Sequence, residues 1–124
     1  MRTIVSGGAP LSPSTHEFLR TVLGCKLQQG YGLTETGACS TVMDCYENSV
    51  GKVGPPLDGT HLRLVNWDEG NYMVTDKPFP RGEIIIGGDN VAHSYFKLED
   101  KTRDEFFMDE HDRRWFKTGD IGQV

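Results

Sequence analysis

The octet Gly30-Tyr31-Gly32-Leu33-Thr34-Glu35-Thr36-Gly37 constrains this chain more than any other stretch. Its glycines make it a loop, and they let the backbone come close to a neighbour or a ligand. Around them stand an aromatic face, a hydroxyl and a carboxylate. Tyr31 offers a flat surface for stacking. Thr34 offers a hydroxyl to a phosphate oxygen, and Glu35 offers hard oxygens to a divalent cation such as Mg²⁺. Each residue also has a plainer reading. An aromatic after a strand belongs in a core, and Thr with Glu suits the first turn of a helix. For Thr34 and Glu35 the two readings are compatible, since a helix start also favours an anion.

Local patterning places the octet between regular elements. Arg2 to Val5 reads as a short buried strand leading into the turn Gly7-Gly8-Ala9. Ser14-Thr15-His16-Glu17 has the form of a capping box, with Pro13 restricting the entry, which predicts a helix to about Leu23. Phe18, Leu19, Val22 and Leu23 would form its apolar face, and Gly24 suits its stop. Lys26 to Gln29 reads as the strand that delivers Tyr31. His61 to Val65 alternates polar with apolar and predicts a half-buried strand; Gly82 to Ile86 predicts a more buried one. Trp67 to Asn71 reads as a turn, Asp100 to Phe107 as a short helix, and Trp115 to Val124 as a hairpin turning at Gly119. An α/β part over 1–49 is thus followed by a β-rich part over 50–124.

Composition narrows the function. A chain of 124 residues is about one domain. A formal charge of −5 gives no footprint for nucleic acid or anionic lipid. No run approaches the ~18 apolar residues of a membrane span, and no signal-peptide pattern opens the chain. Cys25, Cys39 and Cys45 lack a metal-type spacing and read as reduced thiols. His16, His61, His93 and His111 are dispersed and read as surface residues. The charged stretch Glu99 to Arg114 mixes both signs and reads as a solvated helix and loop.

Three motifs in order carry a resemblance. Ser6-Gly7-Gly8-Ala9-Pro10-Leu11, the octet, and Trp115-Phe116-Lys117-Thr118-Gly119-Asp120 resemble the adenylate-forming (AMP-binding) enzymes, and among them the long-chain fatty acid–CoA ligases. Val50 to Leu57 and Arg81 to Gly88 look like connecting segments of that family. Thr75-Asp76-Lys77-Pro78 and Gly87-Gly88 are nearer its animal long-chain branch. Ser94 stands where the family has Gly, which puts the local turn in doubt.

The resemblance implies a fold: part of the large N-terminal domain, a strand-helix-strand piece followed by a distorted barrel-like piece. It also implies roles. Gly7, Gly8 and Ala9 would wall the adenine pocket, where the residues alone suggest only a tight turn. Tyr31 would stack on adenine, with Gly32 beside it in the cofactor-binding set. Thr34 and Glu35 would be catalytic, touching the α-phosphate and the Mg²⁺, with Glu35 the metal ligand. Asp120 would hold the ribose: a carboxylate can accept from both hydroxyls, and Gly119 lets it project. Its plainer reading is a turn aspartate. Trp115 would pack beneath that turn, and Thr118 would support it.

The implied activity is ATP-dependent activation of a long-chain fatty acid through an acyl-adenylate, with CoA as second substrate. No activated Ser or Cys is needed. Neither the family's phosphate loop ending in Lys-Gly nor a Walker-type loop occurs here, and no C-terminal catalytic lysine follows. With Met1 falling inside an expected strand, the chain reads as an internal piece. Its parent would face the cytosol on the endoplasmic reticulum or another intracellular membrane, held by segments not present here. Two alternatives stand beside this reading: another adenylate-forming ligase, such as an aryl-CoA ligase or peptide-synthetase module, or a non-catalytic nucleotide-binding piece.

Overall fold

The computed structural model describes residues 2–124. The expectation for Met1 lies outside the described residues. The chain forms two compact units, Met1–Asp58 and Gly59–Val124.

In the first unit, β1 (Thr3–Ser6), α1 (Pro13–Leu23), β2 (Lys26–Tyr31) and β3 (Thr41–Val42) build a sheet of order β1-β2-β3. β1 and β2 run parallel with Ser6 opposite Gln29, and α1 makes the crossover between them. The helix starts at Pro13, capped by Ser12, and not at a capping box around Ser14. Ser12 is the N-cap, and its hydroxyl accepts from Thr15 N at 3.2 Å. Pro13 takes the first helical position, where its missing N–H costs nothing. Gly24 closes the helix in the left-handed region (φ 57°), and its N–H reaches Arg20 O at 3.1 Å.

The helix seats a different face from the one its apolar residues suggest. Phe18 and Val22 are 63% and 62% exposed, whereas His16 is fully buried. His16, Leu19 and Arg20 form the inward stripe at i, i+3, i+4. His16 Nε2 meets Leu27 O at 2.8 Å, so this histidine is an interior strut between α1 and β2 and not a surface residue. β1 likewise is not buried: its side chains alternate between exposed and half-buried, with Val5 61% exposed. Segment 50–58 bonds into this unit. Pro56 bridges Thr41, and Leu57 N donates to Ser40 O at 2.9 Å.

In the second unit, β4 (Thr60–Val65), β5 (Arg81–Gly88), β7 (Arg114–Gln123) and β6 (Phe106–Met108) form an antiparallel sheet of order β4-β5-β7-β6. With β4 and β6 as edges, this β-rich part is an open sheet among the described residues. Ile85, Ile86, Val91, Phe106, Trp115 and Phe116 make the core. Helix α2 (Glu99–Glu105) stops short of the expected end. Phe106 and Phe107 are drawn into β6, where Phe106 packs on Phe116 with ring centroids 4.8 Å apart. The Asp76 carboxylate accepts from Arg81 Nε at 2.9 Å and Met73 N at 3.2 Å, fastening the preceding loop to the start of β5.

Candidate functional site

The first two motifs leave the sheet at one place. Gly7-Gly8-Ala9 follows the C-terminal end of β1, and the octet follows the C-terminal end of β2, its parallel neighbour. That end of a parallel sheet is where α/β folds bind ligands, because loops diverge there and leave a crevice. A Cβ added to Gly7 would stand 3.3 Å from Gly30 O, so the two loops touch through backbone. Gly8 takes φ 84° with nothing within 4 Å of an added Cβ, and Gly7, Gly8 and Ala9 are all exposed. They offer small side chains and backbone polar groups.

Tyr31 is half-buried at the end of β2, opposite Thr41, and its carbonyl accepts from Ser40 N at 2.8 Å. Gly32 is pressed against the returning chain: an added Cβ would lie 2.4 Å from Ala38 O. Leu33 then caps a single 3-10 turn, Thr34–Thr36, which ends at Gly37 in the left-handed region (φ 72°). The expected helix start is only this turn. Thr34 is exposed and Glu35 half-buried, side by side on it.

Thr36 holds the turn, a role the sequence reading missed. Its buried hydroxyl donates to Leu33 O at 3.2 Å and accepts from Leu33 N at 3.1 Å and from Ser40 Oγ at 2.8 Å. Gln29 acts similarly from β2. Its side chain is buried, accepts from Leu11 N at 3.0 Å and donates to Lys52 O at 3.3 Å. The only prior signal for either was a polar residue beside the glycine loop. A concavity of about 680 Å³ elsewhere in this unit is lined by Arg2, Arg20, Lys26 and Cys45 among others. It sits at the N-terminal ends of β1 and β2, includes none of the motif residues, and is therefore not the candidate site.

Asp120 belongs to the second unit. No hairpin turns at Gly119; β7 runs through as one strand and bulges. Its register against β5 passes from Glu83↔Ile121 to Ile85↔Lys117, leaving Thr118, Gly119 and Asp120 opposite Ile84 alone. Gly119 takes φ 71°, and Asp120 is exposed on the bulge. Thr118 Oγ1 donates to Ile84 O at 2.7 Å and accepts from Asp120 N at 3.0 Å, the supporting role expected for it. Trp115 is 2% exposed and donates from Nε1 to Asp109 Oδ2 at 2.8 Å. An added Cβ on Gly87 would stand 2.7 Å from its ring.

One half-buried carboxylate, Glu35, is the kind of protein ligand Mg²⁺ takes when substrate phosphates and water complete its shell. Among the described residues no cluster of three His, Cys, Asp or Glu could hold a metal by itself.

One unit is thus a parallel βαβ edge with two glycine loops, and the other carries an aspartate on a strand bulge. The AMP-binding enzyme family matches residues 1–96, and the chain belongs to that family. It is 47% identical over 99% of its length to long chain acyl-CoA synthetase 8 of Arabidopsis thaliana, of which it covers 17%. In structure it matches a long-chain-fatty-acid–CoA ligase of Archaeoglobus fulgidus over its whole length and 26% of that chain, with TM-score 0.82 and 24% identity, a likeness of fold. The adenylation domain of a Segniliparus rugosus carboxylic acid reductase, solved with AMP, matches at TM-score 0.75 and 31% identity over 98% of this chain and 17% of that one. The chain thus spans about a sixth of the curated relative it matches.

Proposed function

We propose that the chain supplies part of the nucleotide site of a long-chain fatty acid–CoA ligase. The observation that carries this is the backbone contact of Gly7 with Gly30, which sets two glycine loops together at the C-terminal edge of parallel strands. In this reading Gly7, Gly8 and Ala9 wall the adenine, Tyr31 stacks on it, and Gly32 keeps the loop thin beside the ring. Thr34 donates its hydroxyl to an α-phosphate oxygen. Glu35 holds Mg²⁺, which when bound neutralises charge on the phosphates. Asp120 accepts from the ribose hydroxyls.

The reaction is the one that membership of the long-chain ligases would imply. A carboxylate oxygen of the fatty acid attacks the α-phosphorus, the bond to the bridging oxygen breaks, and pyrophosphate leaves. The CoA sulfur then attacks the acyl carbon and AMP departs. What the protein contributes here is orientation and electrostatic stabilisation. The phosphate clamp and the second-step lysine would come from elsewhere in the intact ligase, as would its attachment to the endoplasmic reticulum or another intracellular membrane. Among the described residues no helix is long and apolar enough to cross a membrane.

The test is ATP–pyrophosphate exchange by the intact ligase with a long-chain fatty acid, with benzoate, and with no acid. Exchange driven by the fatty acid supports the reading; exchange driven by benzoate assigns an aryl-acid ligase instead. In the same assay Asp120→Asn replaces one acceptor oxygen by a donor, which should weaken use of ATP about ten- to a hundredfold. The ribose role requires this variant to discriminate less than wild type between ATP and 2′-deoxy-ATP. An equal penalty on both nucleotides would remove it. The 124-residue chain by itself is expected to give no exchange.

A further inference from the structure

The bulge that carries Asp120 is held by a residue outside its own motif. Glu83 Oε1 accepts the Gly119 N–H at 3.0 Å, from the adjacent strand. Gly119 sits in the left-handed region, φ 71°, and three residues of β7 stand opposite one of β5, so this N–H is turned out of the regular ladder. Thr118 anchors the other side through Ile84 O. A bulge of this kind has more than one geometry open to it, and a carboxylate on its amide selects one.

We propose that Glu83 is a positioning residue for Asp120. By engaging the Gly119 N–H it fixes the turn from which the Asp120 carboxylate projects, and so sets the ligase's grip on the ribose. The proposal rests on the reading of Asp120 as the ribose holder. Glu83 itself touches no substrate; its effect passes through one backbone amide.

The experiment compares Glu83→Ala, Glu83→Gln and Thr118→Val in the intact ligase, with ATP and with 2′-deoxy-ATP. Glu83→Ala should raise KM for ATP about tenfold with kcat less affected, the scale of one lost charge-assisted hydrogen bond. It should also narrow the preference for ATP over 2′-deoxy-ATP. Glu83→Gln keeps an acceptor oxygen and should recover most of both. Thr118→Val loosens the bulge from its other side and should narrow the preference too, which serves if the alanine variant does not fold. A wild-type preference in the folded variants, beside a narrowed one in Asp120→Asn, overturns the role of Glu83 and leaves the ribose reading standing. An unchanged preference in Asp120→Asn removes the ribose reading, and this proposal with it.

Discussion

Gly7 lies against the carbonyl oxygen of Gly30, with room for a Cβ only at 3.3 Å. The contact joins two motifs that are far apart in sequence, and it exists because β1 and β2 are parallel neighbours ending at the same edge. A side chain at Gly7 would press on the Gly30 carbonyl, while one at Gly30 would stand 3.0 Å from Thr41 O on β3. Small residues here are a packing requirement as well as an opening for a ligand.

Gly32→Ala should be far more damaging than its size suggests. The new methyl would stand 2.4 Å from Ala38 O, a backbone atom, so the octet must open to admit it. Overpacking of this kind costs about 1–3 kcal/mol. A fall in melting temperature together with a raised KM for ATP is the expected pair of results. Unchanged values of both would mean the octet is looser than its geometry.

Glu35→Gln should impair adenylation much more than folding. The substitution preserves shape but removes a charged oxygen ligand, and the loss falls on the step in which charge develops at the transferring phosphate, several kcal/mol at most. Titrating activity with Mg²⁺ is the check. A variant with the wild-type Mg²⁺ dependence would reduce Glu35 to a residue of the 3-10 turn.

Thr36→Val should destabilise the intact ligase by about 1–3 kcal/mol, since it leaves Leu33 N and Ser40 Oγ without the buried hydroxyl that now serves both. Thr36→Ser retains that oxygen and should recover most of the loss. Thermal unfolding of the three proteins reads the difference. Equal stability of the valine and serine variants would contradict the role given to the hydroxyl.

Asp109 should make the second unit sensitive to acid. Its carboxylate accepts from Trp115 Nε1 and from the backbone of Arg113 and His111, in that order of weight, which lowers its pKa from the ordinary 3.8 to about 2. A depressed folded pKa contributes stability above the unfolded value and loses it as pH falls through the folded one. The contribution is thus complete above about pH 4 and fades toward pH 2. Melting temperatures measured across that interval should drop more steeply for wild type than for Asp109→Asn, and parallel curves would refute the coupling.

Much of the fold was legible because it is local chemistry. The polar run after Pro13 and the closing Gly24 marked α1, although its N-cap is Ser12 and not Ser14, and alternation defined β4. The glycine motifs named the loops and, through their resemblance, the family. The sequence alone determined these because they depend on φ preferences and on side-chain period. Tertiary structure decided the rest. His16 is interior, and Phe18 with Val22 is outward, because the face a helix buries depends on what it lies against and not only on its own apolar count. Thr118 to Asp120 form a bulge and not a hairpin because Ile84 and Glu83, on a distant strand, capture the groups a turn would have used. Local propensity places a glycine in the left-handed region; only the neighbouring strand determines whether the chain then reverses or carries on.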